Sequence, residues 1–155
     1  MLEQVQQYLT ADIRWSMILS NLGLILTALL ITLPIAYNRE KKSSSAGLRT
    51  YPLVAVATCS YTLIAMNIFE DTESLSRYMA GIITGIGFIG GGAILKAKDN
   101  AQVNGLATAA SIWNTGSIGI AVAWEMYEIA IIISLINFIV LSYGSDAKKI
   151  INGED

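Results

Sequence analysis

Residues 81–96 read GIITGIGFIGGGAILK, an apolar run that carries six glycines: Gly81, Gly85, Gly87, Gly90, Gly91 and Gly92. The run is apolar enough for a bilayer, yet glycine buries almost no side-chain surface, so it makes sense only where other helices press against its backbone. In hydrocarbon, helices gain little from apolar burial, and small residues let close approach and dispersion contacts take over. Gly81 and Gly85 are four apart, as are Gly87 and Gly91, which sets each pair on one helical face. The run reads either as a packing helix, with Gly81, Gly85 and Gly87 as its small-residue face, or as a helix broken at Gly90, Gly91 and Gly92 so that backbone groups open to a ligand. Membranes tolerate such an opening only where protein lines it.

The rest of the composition sets the fold class. The chain has 155 residues, 54% hydrophobic and 14% charged, with a mean hydropathy of +0.54; a soluble domain carries roughly 25% charged residues. An all-α integral membrane protein with a single bundle is expected, with no second domain. Histidine is absent and Cys59, the one cysteine, lies in an apolar run. His/Cys metal sites, Cys-His and Ser-His nucleophile pairs and intrachain disulfides are thereby excluded. The net charge of −2 gives no reason to expect nucleic acid as a partner. No catalytic residue, metal ligand or cofactor is expected, and the lipid bilayer is the first partner.

Residues 1–14 place Leu2, Val5, Leu9 and Ile13 at helical spacing on a polar segment, the pattern of an amphipathic helix at a membrane surface. The segment lacks the positive start of a signal peptide. Trp15 to Tyr37 follows without a charge, and at 1.5 Å per residue it reaches about 35 Å, enough to cross. Pro34 is expected to kink its last turn. A basic loop leads to a second span, Pro52 to Phe69, and an acidic loop, Glu70 to Arg77, to a third, Tyr78 to Leu95. A polar loop, 96–104, precedes a fourth span, Gly105 to Trp124. Glu125 makes a tight turn into a fifth, Met126 to Tyr143. The expected organisation is an N-terminal segment, 1–14, a five-helix membrane domain, 15–143, and a short polar tail, 144–155.

Charge orients these spans. Arg39, Lys41, Lys42, Arg49, Lys96, Lys98, Lys148 and Lys149 fall on one side, and only Arg14 and Arg77 on the other. Basic residues stay cytoplasmic, so the N-terminus is expected outside and the C-terminus in the cytoplasm. Arg39, Glu40, Gly47, Arg49, Gly90, Gly91, Gly92 and Asn104 then meet at the cytoplasmic face. Asn104, Thr108, Ser111, Thr115 and Gly119 form one narrow stripe on the fourth span. Such a stripe either bonds to a neighbouring helix or lines a hydrated path.

Arg49 is expected to snorkel or pair with Glu40; the alternative is an anion or lipid headgroup. Asn21, Asn67 and Asn137 are expected to bond between helices. Glu70, Asp71 and Glu73 form a solvated loop or, alternatively, attract a divalent cation. No charged residue lies inside the five spans. That counts against a proton relay but not against a path of hydroxyls, amides and carbonyls.

Arg39-Glu40, Ala46-Gly47-Leu48-Arg49-Thr50, Gly85-Ile86-Gly87-Phe88-Ile89-Gly90 and Gly105-Leu106-Ala107-Thr108-Ala109-Ala110-Ser111-Ile112-Trp113, in this order, resemble the MgtC/SapB family of bacterial inner-membrane proteins. The resemblance runs from about Asn21 to Tyr143. It implies a small multi-helix domain of the inner (plasma) membrane with an outside N-terminus, and an association with growth at low magnesium, survival in macrophages and, for one member, inhibition of the F-type ATP synthase. It implies no enzymatic chemistry. The chain departs from the family at Asn38-Arg39-Glu40, Gly90-Gly91-Gly92 and Leu106-Ala107-Thr108, where Glu-Arg-Glu, Gly-Ala-Gly and Leu-Thr-Thr are usual. It is expected to be a short form without the soluble C-terminal domain of longer members. The expected function is non-enzymatic: helix association, as a homo-oligomer with a dimer first, or regulation of another membrane protein, linked to magnesium or stress adaptation. The alternative is a small magnesium transporter or channel with the Asn104–Thr115 stripe as its path.

Overall fold

In the computed structural model, which describes residues 15–42, 46–96 and 103–152, the apolar runs become five helices. These are α1 (Trp15–Lys41), α2 (Thr50–Ile68), α3 (Thr72–Gly91), α4 (Leu106–Ala123) and α5 (Tyr127–Asn152). A short antiparallel hairpin, β1 (Leu95–Lys96) and β2 (Val103–Asn104), links α3 to α4, with Leu95 opposite Asn104. Among the described residues, four helices are long and apolar enough to cross a membrane: α1, α2, α4 and the Tyr127–Gly144 part of α5. The fifth expected span, α3, has the length, but Glu73, Arg77 and five glycines dilute its apolarity. The expected amphipathic segment 1–14 lies outside the described residues.

Several boundaries move for local reasons. The expected acidic loop is largely the start of α3: Asp71 is its N-cap, accepting the Ser74 N–H at 2.7 Å, and Glu73 pairs with Arg77 one turn on. A capping carboxylate satisfies an N–H with no partner in the helix and favours the positive helix end. This hydrogen bond holds the Asp71 carboxyl below its ordinary range. The expected third span ends early because the glycine run stops it: Gly92 is the C-cap, and Leu95 belongs to the hairpin in the expected polar loop. The expected polar tail is helical to Asn152.

Pro34 does not end its helix, which continues to Lys41. A proline weakens the hydrogen-bond ladder one turn back, and in lipid a neighbouring hydroxyl can replace what is lost. Ser134 of α5 bonds to that same turn, donating to the Ile31 carbonyl at 2.8 Å, next to the Leu30 carbonyl that Pro34 leaves without its N–H. At the other sharp bend, the Glu125 N–H donates to Val122 O and the Met126 N–H to Ala121 O, both at 2.9 Å. This is a Schellman closure, and it places Glu125 at φ 57°, where glycine is usual.

The helices alternate in direction. Arg39 near the end of α1 reaches Thr108 near the start of α4, and Gly90 near the end of α3 lies against Ala109. The ends of α1, α3 and α5 and the starts of α2 and α4 therefore share one end of the bundle, termed the near end. At the far end, Phe69 after α2 packs its ring 5.4 Å from that of Tyr78 in α3.

The central helix is α4, not the glycine-rich α3. Small residues on every side of α4 let the other four helices pack against it. They surround it except between α3 and α5, where Trp113 and Trp124 line a cleft of about 300 Å³. By contrast, α3 buries only Ile86 and Gly90. The tight crossings are Gly119 of α4 on α2, where an added Cβ would stand 2.3 Å from Ala55 O, and Gly90 on α4, where it would stand 3.0 Å from Ala109 O. Nothing lies within 4 Å of such an atom at Gly81, Gly85 or Gly87. The expected packing face of α3 therefore has no partner inside the described chain.

Candidate functional site

Each helix around the near end carries a buried stripe, and four stripes end in polar groups. On α1, Ala28, Thr32, Ile35 and Ala36 are buried, and one more turn brings Arg39 onto that side. Tyr51 continues the Ala55–Thr58 stripe of α2, and Thr108, Ser111 and Thr115 share one side of α4. Asn137 follows Ala130 and Ser134 on α5. The packing that buries the apolar parts therefore also drives these groups together.

The Arg39 Nη2 donates to Thr108 Oγ1 at 2.9 Å. The fully buried Tyr51 lies with its phenol beside both the Arg39 guanidinium and Ser111. The Ser111 carbonyl accepts from Asn137 Nδ2 at 3.2 Å and from Thr115 Oγ1 at 2.8 Å. The hydroxyls of Tyr51 and Ser111 are buried and have no hydrogen-bond partner among the described residues. Nearer the surface, Asn38 Nδ2 donates to Ser142 Oγ at 2.9 Å, and the Lys42 ammonium donates to the carbonyls of Leu141 and Ser142 at 3.1 and 2.7 Å.

Arg39, Thr108 and Ser111 are the expected site residues that converge. Arg39 lies two residues past the expected first span, Trp15 to Tyr37, but still within α1, and its guanidinium bonds to α4. Glu40 serves the loop instead, accepting the Leu48 N–H at 3.0 Å. Gly47 makes that possible: a Cβ there would stand 2.0 Å from Glu40 Oε2. The expected Arg49–Glu40 ion pair does not form among the described residues, and Arg49 is exposed. Asn104 sits exposed in β2, apart from the cluster. Gly91 and Gly92 are exposed at the end of α3. Of the three expected interhelical amides, Asn137 bonds to α4, whereas Asn67 bonds to Leu63 O of its own helix.

Sequence reasoning missed Tyr51 as a site residue. Its signal was the spacing of 51, 55 and 58, which puts a phenol on the buried stripe of α2. No group of three or more His, Cys, Asp or Glu among the described residues could hold a metal ion. The cluster can donate hydrogen bonds and positive charge; it holds no carboxylate among the residues described above.

A model of the MgtC family matches residues 25–150. The chain belongs to the MgtC family. MgtC-family relatives include the putative magnesium transporter YhiD of Escherichia coli K12, 37% identical over 114 residues that cover 69% of this chain and 52% of YhiD. Protein SrpB of Synechococcus elongatus is 30% identical over 129 residues, 76% of this chain and 71% of SrpB. Protein MgtC of Salmonella typhimurium LT2 is 34% identical over 112 residues, 72% of this chain and 47% of MgtC. The chain spans about half the length of YhiD and of MgtC. No solved structure matches it. The family match takes in the whole near-end cluster, from Arg39 to Asn137, and all of α2, α3 and α4.

Proposed function

We propose that the chain is a non-enzymatic protein of the bacterial inner membrane that acts by helix association, with a second copy or with another membrane protein, in a physiology linked to magnesium. All five helices cross in this reading, with the near end cytoplasmic, because eight of the ten basic residues fall on that side. One observation carries the association: Gly81, Gly85 and Gly87, three glycines of one helix, meet nothing, whereas Gly116 and Gly119 of α4 are pressed against Ile86 and against α2. Gly81 and Gly85 also form part of an apolar groove of about 480 Å³ between Tyr61 of α2 and Tyr78 of α3. A bare glycine face costs the helix stability and brings a return only when another helix approaches it.

Oxidative cross-linking in native membranes tests this, with single cysteines at positions 81, 84 and 85 and Cys59 replaced by alanine. Cross-linked pairs at 81 or 85 are expected for a homodimer, and heavier adducts for a different membrane protein. The absence of any adduct at all three positions would sink association through α3.

The description of the relative YhiD as a putative magnesium transporter favours a second reading, a magnesium transporter. The expected path meets obstacles within one copy: Thr115 bonds back to Ser111 O, Gly119 is pressed against α2, and Arg39 stands at the near end. Magnesium flux into proteoliposomes decides it, and flux insensitive to Ser111→Leu and Thr115→Leu would exclude this path.

A further inference from the structure

We infer that the groove between α1 and α5, in the near-end half of the bundle, seats an acyl chain of an anionic phospholipid whose headgroup lies beside Lys41. From the proposed function this takes only that the near end lies at a bilayer surface. It uses α1 and α5 rather than α3, so it stands or falls separately from association through the glycine face.

The shape and chemistry of the groove select a hydrocarbon chain. It has a volume of about 420 Å³ and is lined by Ile31 and Pro34 of α1 and by Ile131, Ser134, Leu135 and Phe138 of α5. Its one hydroxyl, that of Ser134, is buried and already donates to the Ile31 carbonyl at 2.8 Å. Nothing in the groove therefore asks a visiting helix for a hydrogen bond. Helices associate in lipid where small residues admit a neighbouring backbone, but the exposed walls here are bulky, Ile131 and Leu135 among them. A flexible chain can enter between such side chains, whereas a helix about 10 Å across cannot.

Charge then selects the lipid. Tyr37 and Lys41 follow Pro34 at i+3 and i+7, so they continue the same side of α1 toward the near end. Lys41 is exposed, with its ammonium 4.6 Å from the centre of the Tyr37 ring. Tyr37 and Tyr143 are both exposed, one on each helix, and mark the headgroup level. Just there, Asn38 bonds to Ser142 and Lys42 donates to the Leu141 and Ser142 carbonyls, which ties α1 to α5 above the groove. Glu40, the one carboxylate of α1, is engaged with the Leu48 N–H of the loop. Further along α5, Lys148 and Lys149 outnumber Asp146. Basic residues grouped beside a bilayer favour anionic headgroups over zwitterionic ones.

The test is thermal unfolding of the full chain in maltoside detergent, titrated with dioleoyl phosphatidylglycerol or with dioleoyl phosphatidylcholine. A saturable rise in midpoint is expected with phosphatidylglycerol, at lower concentration than with phosphatidylcholine. Lys41→Gln is expected to weaken the apparent affinity for phosphatidylglycerol about fivefold, the scale of one basic residue at an anionic surface, and to leave the phosphatidylcholine response unchanged. Arg49→Gln removes an exposed near-end cation of the loop before α2 and should alter neither response. Leu135→Trp crowds the groove and should abolish the saturable response to both lipids, with the unliganded midpoint reporting that the bundle still forms. No saturable response to phosphatidylglycerol, or equal responses to the two lipids, would overturn the inference. Equal losses with Lys41→Gln and Arg49→Gln would also overturn it, by reducing the effect to a general attraction of the basic end. So would a Leu135→Trp chain that unfolds at the ordinary midpoint and responds in full.

Discussion

The glycines of α3 and those of α4 are the same residue in two different circumstances. At Gly119 a Cβ would fall 2.0 Å from Thr58 Oγ1 and 2.3 Å from Ala55 O, so the missing side chain is what lets two helices touch. At Gly81, Gly85 and Gly87 the same added atom would meet nothing. Glycine is unfavourable in either helix; Gly119 recovers that cost against α2 and Gly90 against α4, but Gly81, Gly85 and Gly87 recover none of it among the described residues. The contrast shows why spacing alone could not identify the central helix. A four-residue repeat says that a helix can be approached closely, not which neighbour does so.

Substitutions can break this contrast in graded steps. Gly119→Ala should be the most damaging, lowering stability by about 3 kcal/mol as overpacking against backbone forces α2 away. Reversible unfolding in mixed micelles measures it, and a loss comparable to that of Gly85→Ala would abolish the distinction. Gly116→Ala should cost about 1 kcal/mol, because the atom in its way, 2.3 Å distant, is the flexible end of Ile86. Pairing it with Ile86→Val in the same assay should recover part of the loss. Gly85→Ala should instead stabilise the isolated chain by about 0.5–1 kcal/mol through helix propensity. In the membrane it should reduce cross-linking at position 81, and a destabilised monomer would show that the face is already packed.

The smallest effect concerns how the two helices begin. A carboxylate caps α3, whereas α4 starts at Gly105, φ 91°, with no side-chain cap. The Asp71 carboxyl is held below its ordinary range by the Ser74 N–H. A depressed folded-state pKa contributes stability that is present above the unfolded value of about 3.9 and lost as pH falls through the folded value. The Ser74 amide shift, followed by NMR, should therefore titrate below the ordinary aspartate value. Titration at or above it would remove the cap.

Much of the architecture was legible because it follows from hydropathy. Apolar run lengths between Trp15 and Tyr143 located all five helices, and the tight turn at Glu125 was visible as a single polar residue between two runs. Of the cluster, Arg39, Thr108 and Ser111 were legible because alternating spans bring the ends of α1 and α3 and the starts of α2 and α4 to one face. Tyr51 was harder to find, since an aromatic at the start of a span is ordinarily read as an interface anchor.

The sequence by itself determined the helices, their alternation, the absence of histidine chemistry and the end of the bundle at which polar residues gather, because composition and periodicity are properties of one segment at a time. Only the tertiary structure decided that α4 is the centre and that Gly119, rather than Gly85, is the tight crossing. It also decided that Arg39 turns inward beside Tyr51 while Arg49 and Asn104 remain outside. Those outcomes depend on which faces meet, and in a chain where nearly every helix face is apolar, steric fit rather than hydrophobicity selects the neighbours.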